Sequence, residues 1–390
     1  MGSWTARSAS CAESWGSRSV PFARRSSLAH RGRFACGLGA ALLAACGGVE
    51  PIRECVDRGP VHVLCGFQNP EDLAAAPGGE WIVVSQFPRL VDGEISGAGS
   101  LLALRPRDGE RRALYPSAEA GRESAVPGVG SPECSGPPDA TRFSPHGIDV
   151  ADVRGEEARL LVVNHGGREA IELFRLRVAP EGPVLAWEGC VPLPEDAQGN
   201  DVAALPGESF VATKMLPREA GLFTMLRIAL GWPTGELLEW GLAEGWRPVP
   251  DTRASAPNGV AASPDGETLY FATWSGSKLV RIGRDGSGRR DLALSHHPDN
   301  LSWASDGFLL STGQQGSILM VPACGRIDSG TCPIPYSVLR VAPDASSFEP
   351  VYEEDPARIS DAGTVALDHD GALWIGTFAG DRILRVAEAK

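Results

Sequence analysis

The sequence predicts an all-β protein, a six-bladed β-propeller with four-stranded blades around a central axis. Three observations predict it. Gly (47) and Pro (31) make up a fifth of the 390 residues, too much for a helix bundle and suited to many short strands joined by turns. One turn-and-strand unit recurs six times along the chain. Ten Trp and 12 Phe supply apolar bulk for a core, which argues against global disorder.

Pro77-Gly78-Gly79 precedes EWIVVSQ, ARLLVVNHGGREAIELFRL spans 158–176, and Pro206-Gly207-Glu208 precedes SFVATK. Ser263-Pro264-Asp265-Gly266 precedes ETLYFATWSGSKLVRI, and Ser305-Asp306-Gly307 precedes FLLSTGQQGSILMV. Asp368-His369-Asp370-Gly371 precedes ALWIGTFAGDRILRV. The last three show the pattern most clearly: an Asp-Gly turn, an apolar strand, a Gly- or Ser-containing turn and a second strand. Beyond residue 45, six units share the chain at roughly 57 residues each, ample for four-stranded blades.

Another short apolar strand lies just upstream of each first turn, and polar residues introduce it. These read Glu71-Asp72-Leu73-Ala74, His146-Gly147-Ile148-Asp149, Asn200-Asp201-Val202-Ala203, Asn258-Gly259-Val260-Ala261 and Asp299-Asn300-Leu301-Ser302. A sixth, Asp361-Ala362-Gly363-Thr364-Val365, is less regular. In a propeller every innermost strand starts on the same face, so these residues converge on the axis. One polar pair before a strand is an ordinary turn signal. Five in phase point to a site.

The converging set is Glu71, Asn200, Asn258, Asp299 and Asn300. Two carboxylates and three amides are hard oxygen donors, and calcium takes such ligands in flexible geometry. Zinc would favour His or Cys, and magnesium keeps several waters and few protein ligands. A divalent cation would also offset repulsion between the carboxylates. One residue later stand Asp72, Asp201 and the backbone carbonyl of Ile148. Alternation along a strand turns these deeper or sideways. There they would hold a second, more buried ion, or accept hydrogen bonds from neighbouring backbone N–H groups.

His146 stands at the same axial level, and His165 falls in the next strand of that unit. Neighbouring strands lie under about 5 Å apart, so the two imidazoles are expected to meet, one as general base and the other orienting it. His62, His296, His297 and His369 read as packed or surface residues, with His296 and His297 as candidates for the mouth of the site.

The first 45 residues read as an export signal. Residues 1–33 carry six Arg, no Lys and one acid, Glu13, and the apolar stretch FACGLGAALLAA follows at 34–45. That is a secretory pattern. Leu43-Ala44-Ala45-Cys46-Gly47 resembles a bacterial lipobox, which implies diacylation of Cys46 and stable anchoring. The alternative is an ordinary cleaved signal with a chance Cys. The organisation expected is 1–45 signal peptide, 46–59 linker and 60–390 propeller. The protein is then an exported, membrane-anchored bacterial lipoprotein, in the outer membrane on its periplasmic or surface side. The long basic segment is consistent with initiation downstream of Met1. No apolar run reaches the roughly 18–20 residues of a spanning helix. Net charge is −13, and it becomes −18 once the six Arg and one Glu of 1–45 are removed. That balance argues against a nucleic-acid partner.

Six thiols remain beyond Cys46: Cys55, Cys65, Cys134, Cys190, Cys324 and Cys332. An even number in an exported chain permits disulfides. Cys324 and Cys332 bracket GRIDSGT, read as a loop between an Ile318–Val321 strand and a Tyr336–Val341 strand, and are expected to pair. The other four stay unassigned.

FSPHGIDV followed by LLVVNHGGREAIELFRL resembles the paraoxonase/arylesterase family of six-bladed propellers, and so do GNDVAAL, PNGVAASPDG and PDNLSWASDG in that order. The resemblance covers most of residues 60–386. The wider set includes gluconolactonases and strictosidine-synthase-like propellers. It implies hydrolysis of small lactones or aryl esters with two Ca2+ ions. One is catalytic, at Glu71, Asn200, Asn258, Asp299 and Asn300. The other is structural, at Asp72, Asp201 and the Ile148 carbonyl. It also implies a catalytic His146–His165 dyad. Animal members close the ring with a disulfide between their termini, but no Cys follows Cys332 here, so closure falls to strand pairing near residues 60–67. Where those members carry Asn-Asp-His, this chain reads Thr213-Lys214-Met215. Residues 219–232 are an amphipathic helical stretch matching an active-site helix, with Leu222, Phe223, Leu226 and Leu230 as a pocket wall or a blade cap. The competing readings are a non-catalytic calcium-binding propeller lipoprotein and a gluconolactonase-like sugar-lactone hydrolase.

Overall fold

The structure, a computed structural model, describes residues 49–91, 94–117, 125–325, 327, 329–353, 359–360 and 362–387. The export signal, Cys46 and Asp361 lie outside them. The described residues form six four-stranded antiparallel sheets in the order of a six-bladed propeller, plus one two-stranded hairpin, Arg89–Val91 with Glu94–Ser96.

Blade one runs outward from Pro70–Ala75 through Ile82–Gln86 and Ser100–Leu104 to Arg111–Tyr115. The inner strands of blades two to six are Pro145–Arg154, Ala197–Leu205, Pro257–Ala262, His297–Trp303 and Gly363–His369. Each packs against the next, and the sixth returns to the first. All six units read from the sequence are blades. Their punctuating turns join each inner strand to its neighbour, with Gly266 and Gly307 at φ of +72° and +83°, a region glycine enters without strain.

Ring closure falls to strand pairing. Val61–Cys65 is the outermost strand of blade six and pairs with Arg382–Ala387, Val61 opposite Val386 and Cys65 opposite Arg382. Arg382 is fully buried and donates to the carbonyls of Ile52, Glu54 and Ile359 at 2.9, 2.6 and 2.9 Å. A buried guanidinium, satisfied by these backbone oxygens and by Asp381 Oδ1 at 2.9 Å from Nε, thus holds residues 52–54 against the last blade.

The core is divided among the seams between blades. Trp81, Phe143, Phe174 and Trp187 fill the seam of blades one and two, Phe210 and Trp240 that of two and three, and Trp374 and Phe67 that of six and one. Truncating a buried aromatic of this kind costs about 3–5 kcal/mol.

Among the described residues three disulfides are present. Cys324–Cys332, expected from sequence, has its Cα atoms 5.4 Å apart. Cys55–Cys65 and Cys134–Cys190 pair the four thiols that the sequence left open, at 6.3 and 5.6 Å.

Two local expectations are corrected. Residues 318–321 are not a strand: Ile318–Met320 is a 3-10 turn leading into a short helix, Val321–Cys324. Pro322 lacks the N–H a ladder needs and suits the first turn of a helix. The third strand of blade five is Tyr336–Val341, beyond this insertion. The helix expected within 219–232 forms over Leu222–Ala229, but the side chains read as its pocket wall face solvent. Leu222, Phe223, Leu226 and Leu230 are 88, 66, 49 and 50% exposed. The buried residue of this helix is Thr224, so its apolar face is not packed as a cap on a blade.

Candidate active site

All six inner strands slip register against their neighbours at the polar residues that begin them. The shifts fall between Pro70 and Asp72, Pro145 and Ile148, Gly199 and Val202, Pro257 and Val260, Pro298 and Leu301, and Gly363 and Val365. A bulge breaks strict alternation and re-aims side chains. It explains how two successive residues of one strand both serve the axis. The glycines of His-Gly-Ile and Asn-Gly-Val have a steric reason. A Cβ on Gly147 would lie 2.6 Å from the Asp201 Cα and 2.8 Å from the Asn200 carbonyl, and one on Gly259 would lie 2.5 Å from the Asn300 Cα. Only glycine lets adjacent inner strands approach this closely.

Glu71, Asn200, Asn258, Asp299 and Asn300 are all buried, 1–7% exposed. Glu71 Oε2, Asn200 Oδ1, Asn258 Oδ1 and Asn300 Oδ1 have no hydrogen-bond partner. The orientation of two amides follows from their other ends. Asn300 Nδ2 donates to Glu71 Oε1 at 2.9 Å, and Asn200 Nδ2 to Met215 Sδ at 3.6 Å. Met215 is thus a neighbour of the site, at the position where the sequence departs from its resemblance. Gln314 Nε2 donates to Asp299 Oδ2 at 2.6 Å and to the Gly363 carbonyl at 3.0 Å, while its Oε1 accepts from Trp274 Nε1 at 2.8 Å. Burial pushes the Asp299 carboxyl up to about 7. Burial first, then Asp72, Asp299 and Asp201, hold Glu71 well above the carboxylate range. Orphaned buried oxygens cost about 1–3 kcal/mol each. Four of them in one set fit a hard cation. Among the described residues no three His, Cys, Asp or Glu side chains gather as a metal group; amides dominate this set.

The second set is satisfied differently. Asp72 accepts from Leu73 N at 2.8 Å and Ile148 N at 2.7 Å. Asp201 accepts from Val202 N at 2.8 Å and Val260 N at 2.7 Å. Asp149 accepts from Ala204 N at 2.7 Å. These carboxylates tie blade one to two, two to three and three to four. Together with Asp149 they line a cavity of about 260 Å³ along the axis.

His146 Nδ1 lies 2.9 Å from His165 Nε2, and His146 Nε2 lies 3.7 Å from Glu71 Oε1. Burial, then the His165 neighbour, hold His146 well below the usual imidazole range. The Phe87 ring packs 4.7 Å from that of His146. Sequence reading missed Phe87, Gln314 and Glu169. Glu169 Oε1 lies 2.8 Å from His165 Nδ1 and accepts from Gly199 N at 2.8 Å. His296 and His297 do not join the site. His296 is buried between Ser311 and Ser337, and His297 contacts Ser277 and the carbonyls of Trp274 and Gly316.

The fold is thus a six-bladed propeller with buried oxygen donors and a histidine pair near the starts of its inner strands. Residues 125–384 match the arylesterase family, and the chain belongs to that family. Among solved structures the fold is similar to a luciferin-regenerating enzyme, with TM-score 0.50 and 12% identity over 84% of this chain and 95% of that one. It is also similar to a protein of unknown function from Bacteroides thetaiotaomicron, with TM-score 0.51 and 9% identity over 87% and 73%. A gluconolactonase from Xanthomonas campestris shows TM-score 0.47 and 15% identity over 87% and 95%. A search of the curated proteins gave no match.

Proposed function

We propose that this protein is a calcium-dependent hydrolase of lactones or aryl esters. The observation that carries the reading is the set of four orphaned oxygens, with Glu71 of that set reaching to 3.7 Å from His146 Nε2. Glu71, Asn200, Asn258, Asp299 and Asn300 would hold the ion. A bound calcium supplies Lewis-acid stabilisation of the oxyanion that develops on the ester carbonyl. The chain does the rest. His146, neutral because it is buried, takes a proton from water at Nε2, and His165 fixes the ring through Nδ1. Asp72, Asp201 and the Ile148 carbonyl are the candidates for a second ion, although both carboxylates already accept backbone N–H bonds.

We place the protein outside the cytoplasm, anchored through a lipid on Cys46. Three disulfides within the fold support an oxidising compartment. Cys46→Ser should leave the protein out of the membrane fraction; unchanged fractionation contradicts the anchor.

Hydrolysis of a panel of lactones and aryl esters, with and without chelator, tests the activity. Calcium-dependent turnover supports the reading. Calcium binding without turnover of any ester favours a non-catalytic propeller, and preference for sugar lactones favours the gluconolactonase alternative.

A further inference from the structure

Glu169 has no role in a two-histidine mechanism, yet it is fixed in place as though it had one. Its side chain is 10% exposed, that of His165 5%. One oxygen, Oε1, meets both His165 Nδ1 and the backbone N–H of Gly199, each at 2.8 Å. Gly199 immediately precedes Asn200, so the carboxylate is held by the strand that carries a proposed calcium ligand.

We propose that Glu169 is the terminal positioning residue of a relay, Glu169–His165–His146, and that it decides which nitrogen of His146 faces the substrate. The inference rests on the hydrolase reading above. Proton placement follows from donor and acceptor chemistry. A carboxylate only accepts, so His165 Nδ1 carries a hydrogen. Neutral His165 then has a bare Nε2, and the 2.9 Å contact requires that His146 Nδ1 carry the hydrogen between them. That leaves the His146 Nε2 lone pair on the Glu71 side. The opposite tautomers would set a bare nitrogen of His165 against the carboxylate, a repulsive contact.

The same geometry accounts for the proton during reaction. A water hydrogen passes to His146 Nε2 as the water oxygen bonds to the ester carbonyl carbon. The Nδ1 hydrogen of His146 moves to His165 Nε2. The resulting imidazolium at His165 lies against Glu169, which stabilises it. When the carbon–oxygen bond to the leaving group breaks, a proton returns along the same path to the leaving oxygen. The atoms balance as ester plus water giving acid plus alcohol.

Glu169→Gln separates charge from geometry. The amide oxygen still accepts from His165 and Gly199, but the negative charge is gone. We expect kcat to fall by about 10–100-fold, in the range of losses for supporting partners of this kind. KM, Tb3+ affinity measured by luminescence and the unfolding midpoint should stay at wild-type values. Glu169→Asp should recover part of the lost kcat. A Glu169→Gln protein with wild-type kcat overturns the relay, and so does one whose kcat falls only as far as its Tb3+ affinity falls. If the wild-type protein hydrolyses no ester, the hydrolase reading fails separately. Imidazole 15N shifts then decide: both rings should be Nδ1–H in the wild type, and that pattern should be lost or mixed in Glu169→Ala, which removes the acceptor. An unchanged pattern overturns the relay.

Discussion

The axis carries two rings of oxygen donors, and they are satisfied in opposite ways. The upper ring, Glu71, Asn200, Asn258, Asp299 and Asn300, keeps four buried oxygens without partners. The lower ring, Asp72, Asp149 and Asp201, spends its oxygens on backbone N–H groups of the next blade. One leaves buried oxygens unsatisfied at a cost to the fold. The other stitches the fold together. The upper ring mixes carboxylates with amides and the lower ring is all Asp, and hydrogen-bond accounting is what sets the two apart.

Mutations should separate the rings in the same way. Removing a carboxylate from the upper ring has the largest expected effect on turnover. Asp299→Ala should lower ester hydrolysis by about 10³-fold, as loss of oxyanion stabilisation does, while the chelated protein loses less stability than a lower-ring variant, because Gln314 Nε2 keeps its bond to the Gly363 carbonyl. His146→Gln should lower kcat by about 10²–10⁴-fold with calcium affinity kept, read by steady-state kinetics and Tb3+ titration. In the lower ring, Asp201→Ala strands the N–H groups of Val202 and Val260. At about 1–3 kcal/mol for each stranded group, denaturant unfolding should show a loss of several kcal/mol. Equal destabilisation by Asp299→Ala and Asp201→Ala would erase the distinction.

A smaller effect sharpens the comparison through pH. Burial pushes Asp72 and Asp299 up to about 7 in the metal-free protein, and Asp201 is also raised well above its ordinary value, by burial and then by Asp72. Between about pH 4 and 7 the folded state therefore binds more protons than the unfolded chain. This stabilisation is fully present below the ordinary carboxylate range and is lost as pH rises through 7. Chelated protein should thus lose stability from pH 5 to 7.5 in urea unfolding, and saturating calcium should flatten that slope. A metal-free stability that rises over this window contradicts the sign.

Much of this was legible in the sequence because it is periodic. Gly-marked turns and the polar residues that introduce the inner strands gave blade number and phase. His146 and His165 were legible as a pair through strand spacing. What escaped was set by contacts between distant side chains. Glu169 stands four residues past His165, but its tie to Gly199 is a matter of how two blades meet. Gln314 lies inside a strand with nothing to mark it. Residues 318–324 look like a strand by apolar content, and Pro322 was the overlooked signal against it. The helix at Leu222–Ala229 was legible, but amphipathicity did not say that its apolar face would remain in solvent.

The most direct test of the central claim is calcium binding and ester hydrolysis followed on one protein preparation. Chelated wild-type protein should be folded and inactive, and hydrolysis should return in proportion to calcium bound at the upper ring. Asp299→Ala should bind weakly and stay inactive, whereas Asp149→Asn should keep a wild-type calcium titration. Full activity in the chelated protein, or calcium binding indifferent to Asp299, would contradict the account.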